Sequence, residues 1–210
     1  MGPAEEVSPL TLNRLSFYLR CLRHLQEMGI KRVSSQELAQ RYHLSATQIR
    51  KDLAQFGEFG IRGVGYEVRH LRERLRHLLG LERTQNLVIV GVGRLGTALA
   101  AYPGFNSDGF RVVGLVDSDP AKIDRRIGGL RVRPTAELAD AVRDGNAIMG
   151  VLTVPTAAAQ ASYDALVAAG VRAVLNFAPT QLRTTRGVRV KTVDLRIGLE
   201  ELGFFLARAT

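Results

Sequence analysis

Residues 91–96, Gly-Val-Gly-Arg-Leu-Gly, have the spacing of a loop that holds the pyrophosphate of a dinucleotide. In such a loop the first glycine permits a tight turn, the second lets the backbone approach the phosphates, and the third lets the next helix pack close to the strand. Amides at the start of that helix bind phosphate oxygens. The predicted dinucleotide-binding loop is Gly91, Val92, Gly93, Arg94, Leu95 and Gly96.

Asp117 lies 21 residues after Gly96, at the end of the predicted strand FRVVGLVD. A carboxylate at this place accepts hydrogen bonds from the adenosine ribose hydroxyls and repels the 2′-phosphate of NADP(H). We therefore expect NADH or NAD⁺ as the ligand, although Lys122, Arg125 and Arg126 nearby would favour a phosphate.

Two turns follow later predicted strands, AIMGVLTV and VRAVLNF. The carboxyl ends of strands in an open parallel sheet line the ligand crevice, so we expect these turns to flank the nicotinamide. The alternative is that they are ordinary connections between strand and helix. The candidate residues are Thr153, Val154, Pro155, Asn176, Ala178 and Pro179.

A proton-transfer group for hydride chemistry is hard to identify beside this loop. Every histidine precedes it, and the lysines that follow it are only Lys122 and Lys191. Tyr102 and Tyr163 remain, but neither is followed four residues later by lysine. The pattern indicates a dinucleotide site without a recognisable catalytic residue, and we expect a protein that is not an enzyme.

The elements that position these residues change in character near Gly80. After it, apolar runs such as 87–90 alternate with helical segments, which predicts a parallel sheet with helices. Before it, leucines recur at helical spacing, which predicts a first helix ended by Gly29. The leucines of this predicted apolar stripe are Leu12, Leu15, Leu19, Leu22 and Leu25.

Two short capped helices follow this first helix. The residues Ser34-Ser35-Gln36-Glu37 have the spacing of a capping box, and Ser45-Ala46-Thr47-Gln48 repeat that spacing. The pair predicts a helix-turn-helix. In its second helix Ile49, Leu53 and Phe56 face inward, whereas Thr47, Gln48, Lys51 and Gln55 occupy the opposite face with Arg50 on the flank.

The segment GEFGIRGVGYEV next to this helix is typical of a β-hairpin, with Arg62 near its tip. A hairpin beside a recognition helix is a wing, and an arginine there is placed to enter a minor groove. The net charge of +9 fits an anionic partner, although a solvated basic exterior would give the same charge. The candidate DNA-binding residues are Arg14, Ser34, Ser35, Thr47, Gln48, Arg50, Lys51, Arg62 and Gly63.

The remaining composition excludes several classes of protein. Cys21 is the only cysteine, so an intrachain disulfide and a thiolate metal cluster are excluded, and we expect no bound metal. Neither a signal peptide nor an apolar run of membrane-spanning length is visible, and we expect a cytoplasmic protein.

Over nearly its whole length the chain resembles the Rex family of bacterial redox-sensing transcriptional repressors. The resemblance depends on RLSFYLRCL, SSQELA, QIRKDLAQFG, GIRGVGYEV, VGVGRLGTALAAYPGF, VDSDPAKI, VPTAAAQ, LVAAGVRAVLNFAP and VDL. It implies a homodimer whose winged-helix domains bind palindromic operator DNA. It also implies that NADH releases the DNA, whereas NAD⁺ competes for the site without releasing it.

The resemblance also implies residue roles. Arg50, Lys51 and Arg62 match the family's principal DNA-binding positions. Arg20, Tyr102 and Asp194 match a switch in which Tyr102 and Arg20 exchange partners around Asp194. The next residue is Leu195, where some members have a phenylalanine near the nicotinamide.

The resulting expectation is an α/β protein in three parts. Residues 1–80 would form a winged-helix DNA-binding domain, 81–193 a Rossmann-like NAD(H)-binding domain, and 194–210 a C-terminal helix exchanged between protomers. An ordinary helix closing on its own sheet is the alternative for the last part, whose apolar residues include Ile197, Leu202, Phe205 and Leu206. The alternative functions are a small NAD-dependent oxidoreductase and a nucleotide-binding module without an operator.

Overall fold

A computed structural model describes residues 7–57, 59–61 and 64–208. The chain divides into two compact units, Met1–Glu82 and Arg83–Thr210. Among the described residues no helix is long and apolar enough to cross a membrane. The described residues also contain no group of three or more His, Cys, Asp or Glu side chains that could hold a metal ion.

The described residues of the first unit form four helices and a two-stranded sheet. In chain order its elements are α1 (Pro9–Glu27), β1 (Arg32–Val33), α2 (Ser35–Tyr42), α3 (Ala46–Ala54), β2 (Tyr66–Glu67) and α4 (Val68–Leu78). The strands β1 and β2 are antiparallel. Helix α1 begins where the Ser8 hydroxyl accepts a hydrogen bond from the Thr11 amide, and Gly29 follows its end with a left-handed backbone.

The core of this unit confirms most of the predicted apolar stripe. Leu15, Leu22 and Leu25 are buried against side chains of α2, α3 and α4. The stripe is rotated slightly from the prediction, because Tyr18 is buried whereas Leu12 is exposed. The reason is that the hydroxyl of Tyr18 has a buried partner on α3, so this aromatic side chain takes a central place.

The second unit contains a seven-stranded sheet in the order β5-β6-β4-β3-β7-β8-β9. All neighbouring strands are parallel except β5 and β6. The strands are β3 (Gln85–Val90), β4 (Phe110–Asp117), β5 (Arg126–Ile127), β6 (Leu130–Pro134), β7 (Met149–Leu152), β8 (Ala173–Asn176) and β9 (Arg189–Thr192). The helices are α5 (Arg94–Ala101), α6 (Leu138–Asp144), α7 (Thr156–Ala168) and α8 (Leu195–Leu206).

Strand β3 is buried on both faces, as its continuous apolar sequence predicts. Val88 and Val90 belong to a cluster with side chains of α6 and α7, whereas Leu87 and Ile89 belong to a cluster that includes Ala100 of α5. The alternation places helices on both faces of the central strands. The carboxyl ends of β3, β4 and β7 are left open between these layers.

Helix α8 differs from the other helices because none of its residues is buried. Its large apolar side chains are between 51% and 73% exposed. The alternative of a helix that closes on its own sheet is therefore wrong for the single chain. The exposed side chains are Leu195, Ile197, Leu199, Leu202, Phe204, Phe205 and Leu206.

Candidate nucleotide-binding and nucleic-acid-binding sites

The glycine loop has the close packing that its sequence predicts. Gly91 has a φ of +96°, and a side chain there would also collide with the carbonyl of Thr153. A methyl group at Gly96 would collide with the carbonyl oxygen of Gly91, so α5 packs directly on the turn. A methyl group at Gly93 would meet no atom within 4 Å. Gly93 therefore borders open space, as a backbone that receives a ligand must.

Asp117 organises the end of β4 beside this loop. Its carboxylate is buried and accepts hydrogen bonds from the amides of Val92 (2.6 Å) and Asp119 (2.8 Å) and from the Lys122 ammonium (3.2 Å). Burial alone would raise the pKa of Asp117, but these bonds outweigh it and lower that pKa. Asp117 is therefore a carboxylate at neutral pH, the form that accepts hydrogen bonds from ribose hydroxyls.

A crevice of about 620 Å³ opens at the carboxyl ends of β3, β4 and β7. This volume is in the range of cofactor sites. Of the predicted cofactor-binding residues it brings together Gly91, Gly93, Asp117, Thr153, Val154 and Pro155. It is also lined by residues that the sequence analysis did not identify, among them Ser118, Thr135, Leu138, Ala158 and Ser162.

Thr153 holds the crevice together. Its hydroxyl donates to the carbonyl of Gly91 (2.5 Å) and lies 3.2 Å from that of Val90. This hydrogen bond connects the turn after β7 to the glycine loop after the neighbouring strand β3.

The other predicted cofactor-binding residues lie elsewhere. Arg94 and Leu95 are exposed at the start of α5, and the buried Val92 is bound to Asp117. The side chain of Asn176 is buried, donates to the carbonyls of Ala178 and Thr180, and accepts from the Ala178 amide. Asn176 and Ala178 are both buried within their turn, and their contact with the cofactor stays a prediction. Pro179 is exposed in that turn.

The predicted switch residues have local partners in the single chain. Tyr102 is 54% exposed, and its ring meets that of Phe105 edge-on at 5.8 Å. Asp194 begins α8 by accepting a hydrogen bond from the amide of Arg196 (2.9 Å). Arg20 lies on α1 in the first unit, 5.6 Å from the ring centre of Phe17.

The helix-turn-helix consists of α2 and α3. Ser34 and Glu37 form the predicted capping box, with reciprocal bonds of 3.1 and 2.7 Å. Only half of the second predicted box forms. The Ser45 hydroxyl accepts from the amide of Gln48, but the Gln48 side chain donates to Asp52 instead of bonding back to Ser45.

The exposed side of α3 carries Thr47, Arg50 and Lys51 as predicted. Arg50 donates to the hydroxyls of Ser35 (2.9 Å) and Thr47 (3.3 Å), which connects α3 with the start of α2. Gln48 is half-buried rather than on the outer face, because the buried carboxylate of Asp52 attracts its amide.

In the first unit, Asp52 is a functional candidate that the sequence analysis missed. It is fully buried and is bound by Arg14 and Tyr18 of α1 as well as by Gln48. On a helical wheel Asp52 falls about 60° from Ile49, on the inward side. A charged residue at an inward position was the signal that could have identified it.

The predicted hairpin is present at its base, where Ile61 and Gly65 exchange backbone hydrogen bonds of 3.2 and 3.0 Å. Arg62 and Gly63, the predicted tip, lie outside the described residues. A groove of about 930 Å³ runs between this base and the two helices, lined by Ser34, Ser35, Arg50, Ile61 and Tyr66 among others. The groove is thus bordered by serine hydroxyls, by the Arg50 guanidinium and by apolar side chains.

Comparison with known proteins covers both units. Residues 6–54 match the family model described as "Putative DNA-binding protein N-terminus", and residues 82–180 match the one described as "CoA binding domain". The chain is 46% identical to the redox-sensing transcriptional repressor Rex of Carboxydothermus hydrogenoformans, over 97% of this chain and 98% of that protein. It is 45% identical to the protein of that name from Syntrophomonas wolfei, over 96% of each chain.

Solved structures of RSP, described as a Rex-family repressor, have the same fold. RSP in complex with NAD⁺ and operator DNA matches with a TM-score of 0.90 and 35% identity, covering 97% of this chain and 94% of that one. RSP in complex with NADH matches with a TM-score of 0.85 and 34% identity, covering 97% and 96%. The chain therefore belongs to the Rex family of redox-sensing transcriptional repressors.

Proposed function

We propose that this protein is an NADH-responsive repressor that binds palindromic operator DNA as a homodimer and is released when NADH binds its second unit. The observation that carries this is the similarity to RSP, which has been solved both with NAD⁺ and operator DNA and with NADH. A repressor that responds to NADH needs a DNA-binding surface and a dinucleotide-binding site. Here the first unit offers a basic helix-turn-helix and the second a glycine-rich crevice.

The crevice residues suit an adenine dinucleotide. Gly93 gives the pyrophosphate room, the start of α5 offers amides, and Asp117 offers a carboxylate to the ribose. The Lys122 ammonium, 3.2 Å from Asp117, partly offsets the repulsion of a 2′-phosphate. NADH and NAD⁺ are the proposed ligands, and discrimination against NADPH is expected to depend on Asp117.

The signal must come from the nicotinamide, since NAD⁺ and NADH differ in the charge and shape of that ring. A ligand shifts an equilibrium between two protein states only by its difference in affinity for them. The proposed switch residues Arg20, Tyr102 and Asp194 would supply that difference. In the family pattern Tyr102 and Arg20 compete for Asp194, so the redox state of the ring decides which pairing the dimer adopts.

Helix α8 supports the proposal of a dimer. Seven large apolar side chains on twelve residues are exposed, which is more than an isolated surface helix is expected to present to water. We propose that this helix is exchanged and packs on the partner protomer. The division into residues 1–80, 81–193 and 194–210, and a cytoplasmic location, belong to the same proposal.

The oxidoreductase alternative is not favoured, because the relatives that match over nearly the whole chain are named as transcriptional repressors. The crevice lining also includes no histidine or tyrosine among the described residues. Binding to DNA without sequence preference would instead support the alternative of a nucleotide-binding module with a solvated basic face.

The test is fluorescence anisotropy on a labelled palindromic duplex selected from random DNA with the purified protein. NADH, NAD⁺, NADPH and coenzyme A are titrated in turn, the last because one family model carries that name. We expect NADH to release the duplex at concentrations at which the other three do not. Failure to select a duplex, or release that ignores the redox state of the ring, would contradict the proposal.

A further inference from the structure

The carboxylate of Asp52 is the one charged group that is buried among the described residues of the first unit. It is 0% exposed and accepts four hydrogen bonds. Oδ2 accepts from Arg14 Nε (2.6 Å) and from the Tyr18 hydroxyl (2.9 Å), whereas Oδ1 accepts from Arg14 Nη2 (2.7 Å) and from Gln48 Nε2 (2.7 Å). Each oxygen thus uses both of its lone pairs, and no capacity is left for water or a ligand.

Burial by itself would raise the pKa of Asp52, but the hydrogen bonds from Arg14, Gln48 and Tyr18 outweigh burial and lower that pKa. The group is therefore an anion at neutral pH. A buried carboxylate that binds a guanidinium in two-point fashion fixes the plane of that guanidinium.

Two of the three donors are candidate DNA-binding residues. Arg14 uses Nε and Nη2 on Asp52, and Nη2 also donates to the Thr11 hydroxyl (3.2 Å). Among the hydrogen bonds of the described residues none uses Nη1 of Arg14, and this side chain is 35% exposed. Nη1 is thus the donor left for an outside acceptor, such as a phosphate oxygen.

Gln48 lies one helical turn before Asp52 and is half-exposed at the edge of the recognition helix. A free glutamine side chain on a helix samples several rotamers, and binding must select one of them. The bond to Asp52 selects a rotamer before DNA arrives. One buried anion therefore orients an arginine of α1 and a glutamine of α3 together.

We propose that Asp52 is a positioning residue for operator recognition, which sets DNA specificity without touching DNA by fixing Arg14 and Gln48 in their binding orientations. This inference rests on the proposed function, because it presumes that α3 reads an operator. It goes further in assigning part of the specificity to a residue in the interior.

The test compares D52N with E73Q. Both changes replace a carboxylate by an amide in the first unit and raise the net charge by one, so their effect on nonspecific attraction to DNA is matched. Glu73 is exposed on α4 and, within the described part of the chain, pairs with Arg69 one turn before it. Affinity is measured by anisotropy for the operator and for a scrambled duplex, over a range of salt concentrations.

For D52N we expect a loss of about tenfold or more in operator affinity, as for the loss of an oriented base contact. Affinity for the scrambled duplex should fall less, because only the Arg14 phosphate contact is shared by all sequences, whereas the Gln48 contact is specific to the operator. Loss of the Arg14 contact should decrease the salt slope by about one for both duplexes. E73Q should keep the wild-type ratio of specific to nonspecific affinity. Adding Q48A or R14A to D52N should cost less than either change costs in the wild type, because the orientation is already lost.

Thermal unfolding and NADH affinity show whether the variant is folded and its second unit intact. If D52N does not fold, Y18F answers the same question, because it removes one donor and leaves the carboxylate in place. Y18F should lower the specificity ratio only about threefold, because Arg14 and Gln48 still bind the carboxylate after the Tyr18 hydrogen bond is lost. If folded D52N or Y18F keeps the wild-type specificity, the inference is wrong. The proposed function still stands in that case, provided that NADH releases the wild-type protein from the operator. If the wild-type protein selects no operator, the proposed function itself is wrong.

Discussion

The hydroxyl of Thr153 connects two parts of the proposed dinucleotide site. It donates to the carbonyl of Gly91, the residue with the left-handed backbone at the start of the glycine loop. For T153V, which keeps the shape and removes the donor, we expect NADH affinity to fall about fivefold, the value of one hydrogen bond of about 1 kcal/mol. T153S retains the hydroxyl and should stay close to wild type. Calorimetric titration with NADH measures both, and equal affinities in T153V and T153S would contradict the role.

Asp117 is expected to decide between NADH and NADPH. D117N removes the charge that repels a 2′-phosphate but keeps an oxygen that accepts from the Val92 amide. We expect NADH affinity to fall and NADPH affinity to rise, so the ratio between them should shrink about tenfold, in line with a change of about 1.4 kcal/mol in one charge interaction. D124N, at an exposed carboxylate that pairs with Arg131 and does not line the crevice, is the control. An unchanged ratio in D117N would place the discrimination elsewhere.

The pKa of Asp52 implies a defined pH dependence of stability. Because its folded pKa lies below that of the unfolded chain, about 3.9, the stabilisation is complete above roughly pH 5 and is lost as the pH falls through the folded value. Acid should therefore narrow the difference in unfolding free energy between wild type and D52N. Denaturant unfolding from pH 7 to pH 2.5, followed by circular dichroism, measures this difference. A difference that widens on acidification would contradict a lowered pKa for Asp52 in the folded protein.

Sequence patterns predicted the elements that are determined by residues close to one another in the chain. The capping box at Ser34 and the buried strand around Val88 follow from neighbours within a few residues, and both occur in the structure. Asp52 was missed because its partner Arg14 comes from a distant segment of the chain. Periodicity shows which side of a helix faces inward, but it does not show that a carboxylate on that side meets an arginine 38 residues away.

Helix α8 is the element whose exposed surface has the strongest energetic consequence. Burying one large apolar side chain contributes about 1.5–3 kcal/mol, so the double variant L202S/F205S should weaken the proposed dimer by about a hundredfold or more. Sedimentation velocity over a concentration series measures the dissociation constant. E201Q, an exposed polar change on the same helix, should leave the dimer intact. If L202S/F205S is as dimeric as wild type, the helix does not form the interface.

At the scale of the whole molecule, the proposed sensor must satisfy thermodynamic reciprocity. If NADH lowers operator affinity by some factor, then saturating operator must lower NADH affinity by the same factor. A coupling free energy of about 3 kcal/mol corresponds to ~100-fold, which would suffice to empty an operator. The two factors are measured independently, by anisotropy with excess NADH and by NADH titration with excess duplex.

Tyr102 tests whether this coupling depends on the proposed switch. Its exposed hydroxyl makes no hydrogen bond among the described residues, so Y102F should cost little within the single chain. If Tyr102 pairs with Asp194 in only one state of the dimer, Y102F removes stabilisation from that state alone, and both factors should shrink together by about tenfold, in line with a charged hydrogen bond of about 1.5–3 kcal/mol. NADH affinity measured without DNA shows whether the crevice is intact. If NADH and operator weaken each other's binding in Y102F by the same factors as in the wild type, the coupling depends on other residues.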